Sequence, residues 1–184
     1  MAVLAEHPVI RYVRLALDIP GDIIECGSWR LDSALKIASI CPLKLVYACD
    51  TFHGMPEPGA EDVHLTDPSK GHKLGDFPSN WNEVSAMAEG TNVIPVPGYF
   101  HHTLPMISKG AGPFSMIYID CDLYESAKPA IDILWPCLSE HGILVADDYT
   151  NPATPGIKKV MDRYFAGRFH PDENGLVMVR KGMA

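Results

Sequence analysis

Length, composition and charge limit what this chain can be. Its 184 residues carry a formal net charge of −8, and this length is typical of one α/β domain, so a single domain over residues 1–184 is predicted. The acidic balance and the lack of a basic run exclude a nucleic-acid partner, and no apolar stretch is long enough for a membrane span. The five cysteines lack CxxC spacing, which predicts reduced thiols in a cytoplasmic protein rather than a zinc site or a disulfide framework.

Strands and helices are predicted to alternate along the chain. Apolar runs rich in β-branched residues indicate strands, and apolar residues at helical spacing indicate helices. The predicted helices cover Pro8–Leu17, the segment around Ala34 and Ala38, Trp81–Ala88, a short segment with Leu104 and Ile107, the segment from Ala130 to Leu138, and the segment from Ile157 to Tyr164. The predicted strands cover Asp22–Cys26, Leu43–Cys49, Asn92–Val96, Met116–Ile119 and Ile143–Ala146, with Arg168–His170 and Gly175–Arg180 as a closing hairpin.

This order predicts an α/β fold with a Rossmann-like, mostly parallel sheet, an antiparallel C-terminal strand and helices on both faces. The closing antiparallel strand fits a class I methyltransferase sheet better than a dehydrogenase sheet.

Acidic side chains follow the fourth and fifth predicted strands. Asp120 and Asp122 come after the first of these two strands, and Asp147 and Asp148 come after the second. The carboxyl ends of neighbouring parallel strands meet at one edge of the sheet, where ligands of open α/β sheets bind. Four acids at one edge would repel each other, so a divalent cation with oxygen ligands is predicted among them. The alternative for Asp122 is that it caps the following helix.

The turn after the first strand has the character of a nucleotide-binding loop. Gly27 lies between a strand and a helix, where a residue without Cβ lets backbone and ligand approach closely. The dinucleotide fingerprint GxGxxG is incomplete, because Leu31 and Asp32 stand where its later glycines would be. Asp50 ends the second strand, a position from which an acid commonly binds ribose hydroxyls. The alternative for Asp50 is a helix cap or turn acid.

Residues 52–90 are rich in proline and glycine and form a predicted insertion of the lid or substrate-loop type. Single histidines in this insertion are not predicted to be catalytic. The adjacent pair His101 and His102 is not predicted to bind a metal, because adjacent side chains diverge and no carboxylate is near in sequence.

Five sequence blocks occur in a characteristic order. They are ECGSWR at 25–30, ACDTFHGMP at 48–56, VPGYF at 96–100 with TLP at 103–105, DCDLYES at 120–126, and DDY at 147–149. Together these blocks resemble the macrocin O-methyltransferase family, whose members use S-adenosylmethionine to methylate sugar hydroxyls of macrolides. The resemblance covers nearly the whole chain from about Gly21. It implies the class I methyltransferase fold and a Mg²⁺ ion.

The resemblance also implies roles for individual residues. Asp120, Asp147 and Asp148 would bind the metal, and Asp120 or Asp122 would be the general base for a hydroxyl of a small-molecule acceptor. The residues expected around S-adenosylmethionine are Glu25, Gly27, Ser28, Trp29, Ser33, Asp50, Thr51, Phe52, Gly98, Tyr99 and Phe100.

Two departures from the family pattern affect these expectations. The family has glycines where this chain has Leu31 and Asp32, and an extra carboxylate there could pair with the ammonium group of the cofactor or disturb its carboxylate. The family also carries an N-terminal helical segment, whereas here the first strand begins about twenty residues from the start. The acceptor site is therefore expected to be more open, or to be completed by the insertion or by a partner subunit of a homo-oligomer. The alternative functions are a non-catalytic S-adenosylmethionine-binding protein and an NAD(P)-type oxidoreductase.

Overall fold

The fold is a six-stranded sheet with helices on both faces. The structure, a computed structural model, describes residues 7–182. The strands are β1 Asp22–Cys26, β2 Val46–Asp50, β3 Val93–Pro97, β4 Phe114–Ile119, β5 Leu138–Ala146 and β6 Val177–Arg180. The helices are α1 Ile10–Ala16, α2 Asp32–Ile40, α3 Trp81–Ala88, α4 Phe100–Gly110, α5 Tyr124–Leu134 and α6 Pro155–Phe165.

The strand order is β3-β2-β1-β4-β5-β6, and only the pair β5–β6 is antiparallel. The predicted fold class is therefore confirmed, including the antiparallel strand at the C-terminus. None of the helices within residues 7–182 combines the length and the apolar character that crossing a bilayer requires.

The core lies on both faces of the central strands because alternate residues point to opposite sides. Ile23, Met116 and Ile143 belong to one buried cluster with side chains of α1 and α2. Ile24 and Ile117 belong to the other, which includes side chains of α5 and α6. Each fully buried aliphatic side chain contributes about 1.5–3 kcal/mol of apolar transfer free energy. This two-sided burial explains why β4 and the second half of β5 read as continuous apolar runs.

The register of the central strands brings the candidate site together. Cys26 of β1 pairs with Ile119 of β4, and Ile119 pairs with Ala146 of β5. The ladder continues by one step, since the Asp120 amide donates to the Cys26 carbonyl and the Asp147 amide to the Ile119 carbonyl, both at 2.9 Å. The β1–α2 turn and the acids after β4 and β5 therefore lie at the same edge of the sheet.

Several predicted bounds differ in the structure: β2 begins at Val46 rather than Leu43, β5 at Leu138 rather than Ile143, and α5 at Tyr124 rather than Ala130. Helix α5 ends at Leu134 rather than at Leu138, and a 3-10 turn over Trp135–Cys137 leads directly into β5. Leu138 is apolar because it pairs with Phe114 in the sheet, so its match to the helical spacing was accidental.

The predicted closing hairpin was also wrong. Arg168–His170 is not a strand, since the Arg168 amide closes a turn onto the Phe165 carbonyl and Pro171 follows without an N–H. Strand β6 instead pairs with the free edge of β5.

The insertion over residues 52–90 is closed at its base and anchored to the helical layer. The Met55 amide donates to the Asp76 carbonyl at 2.7 Å, and the Gly75 amide donates to the Met55 carbonyl at 2.9 Å. Asp62 lies in a 3-10 helix over Ala60–Asp62, is 4% exposed, and accepts the Tyr124 amide at 2.7 Å at the first residue of α5. The two hydrogen bonds at the base fix the neck of the insertion, and Asp62 fixes its interior to the start of α5.

Candidate active site

A cavity of about 460 Å³ opens at the carboxyl ends of β1, β2 and β4. Eight of the eleven residues expected around the cofactor line it: Gly27, Ser28, Trp29, Ser33, Asp50, Thr51, Tyr99 and Phe100. Asp120, Asp122 and Asp148 line the same cavity. The remaining expected residues, Glu25, Phe52 and Gly98, are not part of this lining. The cofactor loop and most of the predicted acids therefore face one space.

Two residues of the β1–α2 turn have left-handed backbone conformations. Trp29 has a φ of 40° and Leu31 a φ of 65°, a conformation that costs a residue with a Cβ about 1–2 kcal/mol. This explains physically why glycines suit this turn in the family that the chain resembles. The Leu31 side chain is fully buried in the core and does not fill the cavity, whereas Asp32 lines the cavity and is exposed.

Asp50 connects the loops after β1 and β2. One of its carboxylate oxygens accepts the amides of Ser28 and Trp29 at 3.1 and 3.0 Å, and the other accepts the Phe52 amide at 2.8 Å. Phe52 itself turns into the core, where it is 1% exposed and its ring contacts Trp81. Asp50 therefore shapes the cavity wall, and its role as a ribose ligand stays a prediction.

Glu25 is a fully buried carboxylate near the end of β1, two residues before Gly27 of the cavity wall. Among the described residues, neither of its oxygens has a hydrogen-bond partner, and the buried Ser28 hydroxyl likewise has none. Burial raises the pKa of Glu25 to about 7 because the charged form loses its hydration. An unpaired acid of this kind is stable when protonated or when a positive group lies against it.

Three carboxylates converge at the other side of the cavity. Asp120, Asp122 and Asp148 each offer one oxygen, and these oxygens all lie within 4.8 Å of one another. Burial raises the pKa of Asp120 and that of Asp122, and the neighbouring carboxylates raise both further. Asp122 and Asp148 both have left-handed backbones, with φ of 62° and 59°. Oxygen donors that are mutually repulsive and partly buried fit a hard divalent cation.

The converging group contains Asp122 and does not contain Asp147, which the resemblance had included. Both oxygens of Asp147 are engaged elsewhere, since one accepts the Tyr118 hydroxyl at 2.6 Å and the other the Asp148 amide at 2.8 Å. Asp147 also does not line the cavity. In this arrangement Asp122 takes the position that was predicted for Asp147, and the identity of the metal ligands stays a prediction.

The insertion contributes part of the cavity wall that sequence reasoning had not assigned to individual residues. Its contributions are Gly54, Met55, Pro56, Asp76 and Phe77. Phe77 packs edge-on against Trp29 with ring centroids 5.7 Å apart, and the Trp29 indole N–H donates to the Pro78 carbonyl at 3.1 Å. The proline- and glycine-rich composition indicated such a loop, but only contact with Trp29 identifies which residues reach the cavity.

Basic side chains on the α1 and α2 side of the cavity were given no role by the sequence. His7, Arg30 and Lys36 line it. Arg30 ends the block at 25–30, whereas no motif marked His7 or Lys36. Burial lowers the pKa of His7. The His101 and His102 rings contact each other with centroids 4.0 Å apart, so the argument that adjacent side chains diverge was wrong. Neither histidine belongs to the carboxylate group that could hold a metal among the described residues.

Known proteins resemble this chain both in sequence and in fold. The 8-demethyl-8-(2,3-dimethoxy-alpha-L-rhamnosyl)-tetracenomycin-C 4'-O-methyltransferase of Streptomyces olivaceus is 30% identical over 148 residues, which are 73% of this chain and 55% of that protein. The crystal structure of CalS11, a calicheamicin methyltransferase, is similar with a TM-score of 0.80 at 22% identity over 95% of this chain and 77% of that chain.

MycE, a methyltransferase of the mycinamycin biosynthetic pathway in complex with Mg and SAH, has a TM-score of 0.55 at 16% identity over 95% of this chain and 46% of that chain. The chain spans 55–60% of the length of the curated relatives that it matches. The profile of the macrocin-O-methyltransferase (TylF) family matches residues 7–169. The chain therefore belongs to the macrocin O-methyltransferase family.

Proposed function

We propose that this chain is an S-adenosylmethionine-dependent, Mg²⁺-dependent O-methyltransferase that acts on a hydroxyl group of a small sugar or natural product. The observation that carries the proposal is the convergence of Asp120, Asp122 and Asp148 in the cavity that also holds the Gly27 loop. Membership of the family supports the reaction type, and the Mg and SAH in MycE support the choice of metal and cofactor.

The lining residues divide into a cofactor side and an acid side. Gly27, Ser28, Trp29, Ser33, Asp50, Thr51, Tyr99 and Phe100 would contact S-adenosylmethionine. Glu25 does not line the cavity, but its unpaired buried carboxylate would stabilise a positively charged ligand bound nearby. Phe52 and Gly98 would affect the cofactor site indirectly, through the packing of its walls. Phe52 fills the core, and a Cβ at Gly98 would lie 2.9 Å from the Thr103 methyl carbon.

The acids would hold the cation and the acceptor proton. When the cofactor and the cation are bound, S-adenosylmethionine supplies a sulfonium methyl group and the cation lowers the pKa of the acceptor hydroxyl. Asp120, Asp122 and Asp148 would be the ligands as oriented here, and Asp147 would join them only after leaving Tyr118. Asp120 or Asp122 would take the acceptor proton, because each offers a carboxylate oxygen within the group that would hold the cation beside the acceptor hydroxyl. The walls would orient the two reactants for in-line attack.

The acceptor would enter beside the insertion. Phe77 and Tyr99 line the cavity while remaining 45% and 49% exposed, so apolar surface is available at its mouth. Because the insertion already supplies part of the cavity wall, we expect the insertion rather than a partner subunit to complete the acceptor site. A homo-oligomer and a cytoplasmic location remain proposals.

Binding experiments test the cofactor and the metal separately. Calorimetry should detect binding of S-adenosylhomocysteine and no binding of NAD; the reverse result would favour an oxidoreductase. Methyl transfer to hydroxylated acceptors should stop with EDTA and return with Mg²⁺. Cofactor binding without transfer to any sugar-bearing acceptor would favour the non-catalytic alternative.

Single substitutions distinguish the two sets of metal ligands. Asp122→Asn should weaken Mn²⁺ binding more than Asp147→Asn does if the ligands are oriented as in this structure. The opposite order would restore the set implied by the resemblance. Asp132→Asn is the matched control, because this acid is exposed, pairs with Lys128 and Tyr164, and does not line the cavity; it should leave Mn²⁺ affinity unchanged.

A further inference from the structure

A buried tyrosine lies behind the acidic group and has no assigned role. Tyr118 is on β4, two residues before Asp120, and its side chain is 0% exposed in the cluster that faces α1 and α2. A phenol in such a position needs a hydrogen-bond partner, since an unpaired buried hydroxyl is costly. Its partner is Asp147, at 2.6 Å. The apolar packing of β4 does not by itself require this hydroxyl, so its contact with Asp147 calls for a separate explanation.

Asp147 links Tyr118 to Asp148 through its two carboxylate oxygens. The Asp147 oxygen that does not bind the phenol accepts the Asp148 amide at 2.8 Å. Asp148 has a left-handed φ of 59°, which a residue with a Cβ keeps only when its surroundings hold it there. Further restraints come from the C-terminal side. The Asn151 side-chain amide donates to the Asp148 carboxylate, and the Asn151 backbone amide and the buried Thr154 hydroxyl both donate to the Asp148 carbonyl, each at 3.1 Å.

We infer that Tyr118 is a positioning residue for the metal site. Its hydroxyl fixes the Asp147 carboxylate, which in turn fixes the amide and backbone turn of Asp148, so that the Asp148 carboxylate stays beside Asp120 and Asp122. The inference rests on the proposed function, because it assigns a task to a residue that would not touch cation, cofactor or acceptor. Partners that orient metal ligands commonly change metal affinity 10–100-fold when they are removed.

The test is Tyr118→Phe, which removes the hydroxyl that binds Asp147 and keeps the buried ring. Tyr12→Phe is the matched control, because Tyr12 is also buried and its hydroxyl donates to a carboxylate, Asp172, at 2.8 Å, on the loop before β6. Both variants lose one tyrosine–carboxylate hydrogen bond. Calorimetric titration with Mn²⁺ should give about 10–100-fold weaker binding for Tyr118→Phe and unchanged binding for Tyr12→Phe. S-adenosylhomocysteine affinity in EDTA should be unchanged in both variants.

The double variant Tyr118→Phe/Asp147→Asn separates positioning from general destabilisation. If Tyr118 acts through Asp147, its substitution should change Mn²⁺ affinity little once Asp147 is Asn. Unchanged or tighter Mn²⁺ binding by Tyr118→Phe, or equal weakening by Tyr12→Phe, would overturn the inference while leaving the proposed function intact. A wild-type protein that binds S-adenosylhomocysteine but no Mn²⁺ would overturn the proposed metal site and this inference with it.

Discussion

At the scale of single residues, Gly27 has a structural reason to be glycine besides the one that the sequence suggested. The sequence suggested that a glycine after β1 lets a ligand approach the backbone. In the structure Gly27 has a φ of +99°, and a Cβ there would lie 1.9 Å from the carbonyl oxygen of Asp120. The backbone after β4 is therefore a close neighbour that requires a residue without Cβ here, while Gly27 also lines the cavity.

Gly27→Ala should consequently destabilise the protein without any ligand present. The strained φ and the collision with rigid backbone together should cost about 3 kcal/mol or more, measured as a lower midpoint of denaturant unfolding. Gly110→Ala is the control, because a Cβ at Gly110 would meet nothing within 4 Å and its backbone is helical. A Gly27→Ala protein as stable as wild type that has lost cofactor affinity would instead support the ligand-approach explanation.

At the scale of elements, the insertion supplies a cap to a distant helix. Helix α5 begins at Tyr124, and its N-cap residue Leu123 has no side chain that could accept the free amides. Asp62 provides the missing acceptor from more than sixty residues earlier in the chain, and its other oxygen accepts the Gly59 amide at 2.9 Å. The insertion and the α5 region after β4 are thus coupled through one buried carboxylate.

Asp62→Ala should lower the free energy of unfolding by about 1–2 kcal/mol, as the loss of an N-cap does. It should also speed amide hydrogen exchange in the insertion, because its anchor to α5 is removed. Asp67→Ala is a suitable control, since the Asp67 side chain is 40% exposed, pairs with Lys70 and caps a short 3-10 turn over Pro68–Lys70. Equal exchange rates in the Asp62 variant and in wild type would mean that other contacts hold the insertion.

At the scale of the whole molecule, burying acids at one edge of the sheet makes stability depend on pH. The folded state raises the pKa of Glu25 to about 7 and raises those of Asp120 and Asp122. A folded state with raised carboxyl pKa values binds protons more tightly than the unfolded chain. The free energy of unfolding must therefore fall as pH rises from the ordinary carboxyl pKa to the raised values.

Without divalent cations, the thermal midpoint should therefore fall between about pH 5 and pH 8. Added Mg²⁺ should raise the midpoint more at pH 8 than at pH 5, because it replaces the protons on its carboxylate ligands. Glu25→Gln should flatten the metal-free profile, with a gain at pH 8 of at most about 3 kcal/mol. A midpoint that rises with pH in the metal-free wild type would contradict the burial of these acids.

What the sequence determined by itself was the alternation of elements and the general position of the site. Apolar runs that are buried on both faces leave few alternatives to a strand, so β1 and the fold class were predicted correctly. The bounds of α3 were also predicted correctly. The acids after β4 and β5 were placed at one edge by the rule for parallel strands. Local pattern failed at Leu138, which matches a helix by spacing but belongs to a strand.

Only the tertiary structure decided which side chains meet. Asp122 and Asp147 are equivalent in sequence terms, since each is an acid within two residues of another acid after a strand. Their orientations depend on Tyr118 and on left-handed backbone turns at Asp122 and Asp148, which contacts between strands and loops impose. The contacts of Phe77 with Trp29 and of Asp62 with the start of α5 likewise depend on long-range packing. Spacing along the chain carries information about neighbours in one element, whereas such contacts are set by the way separate elements pack.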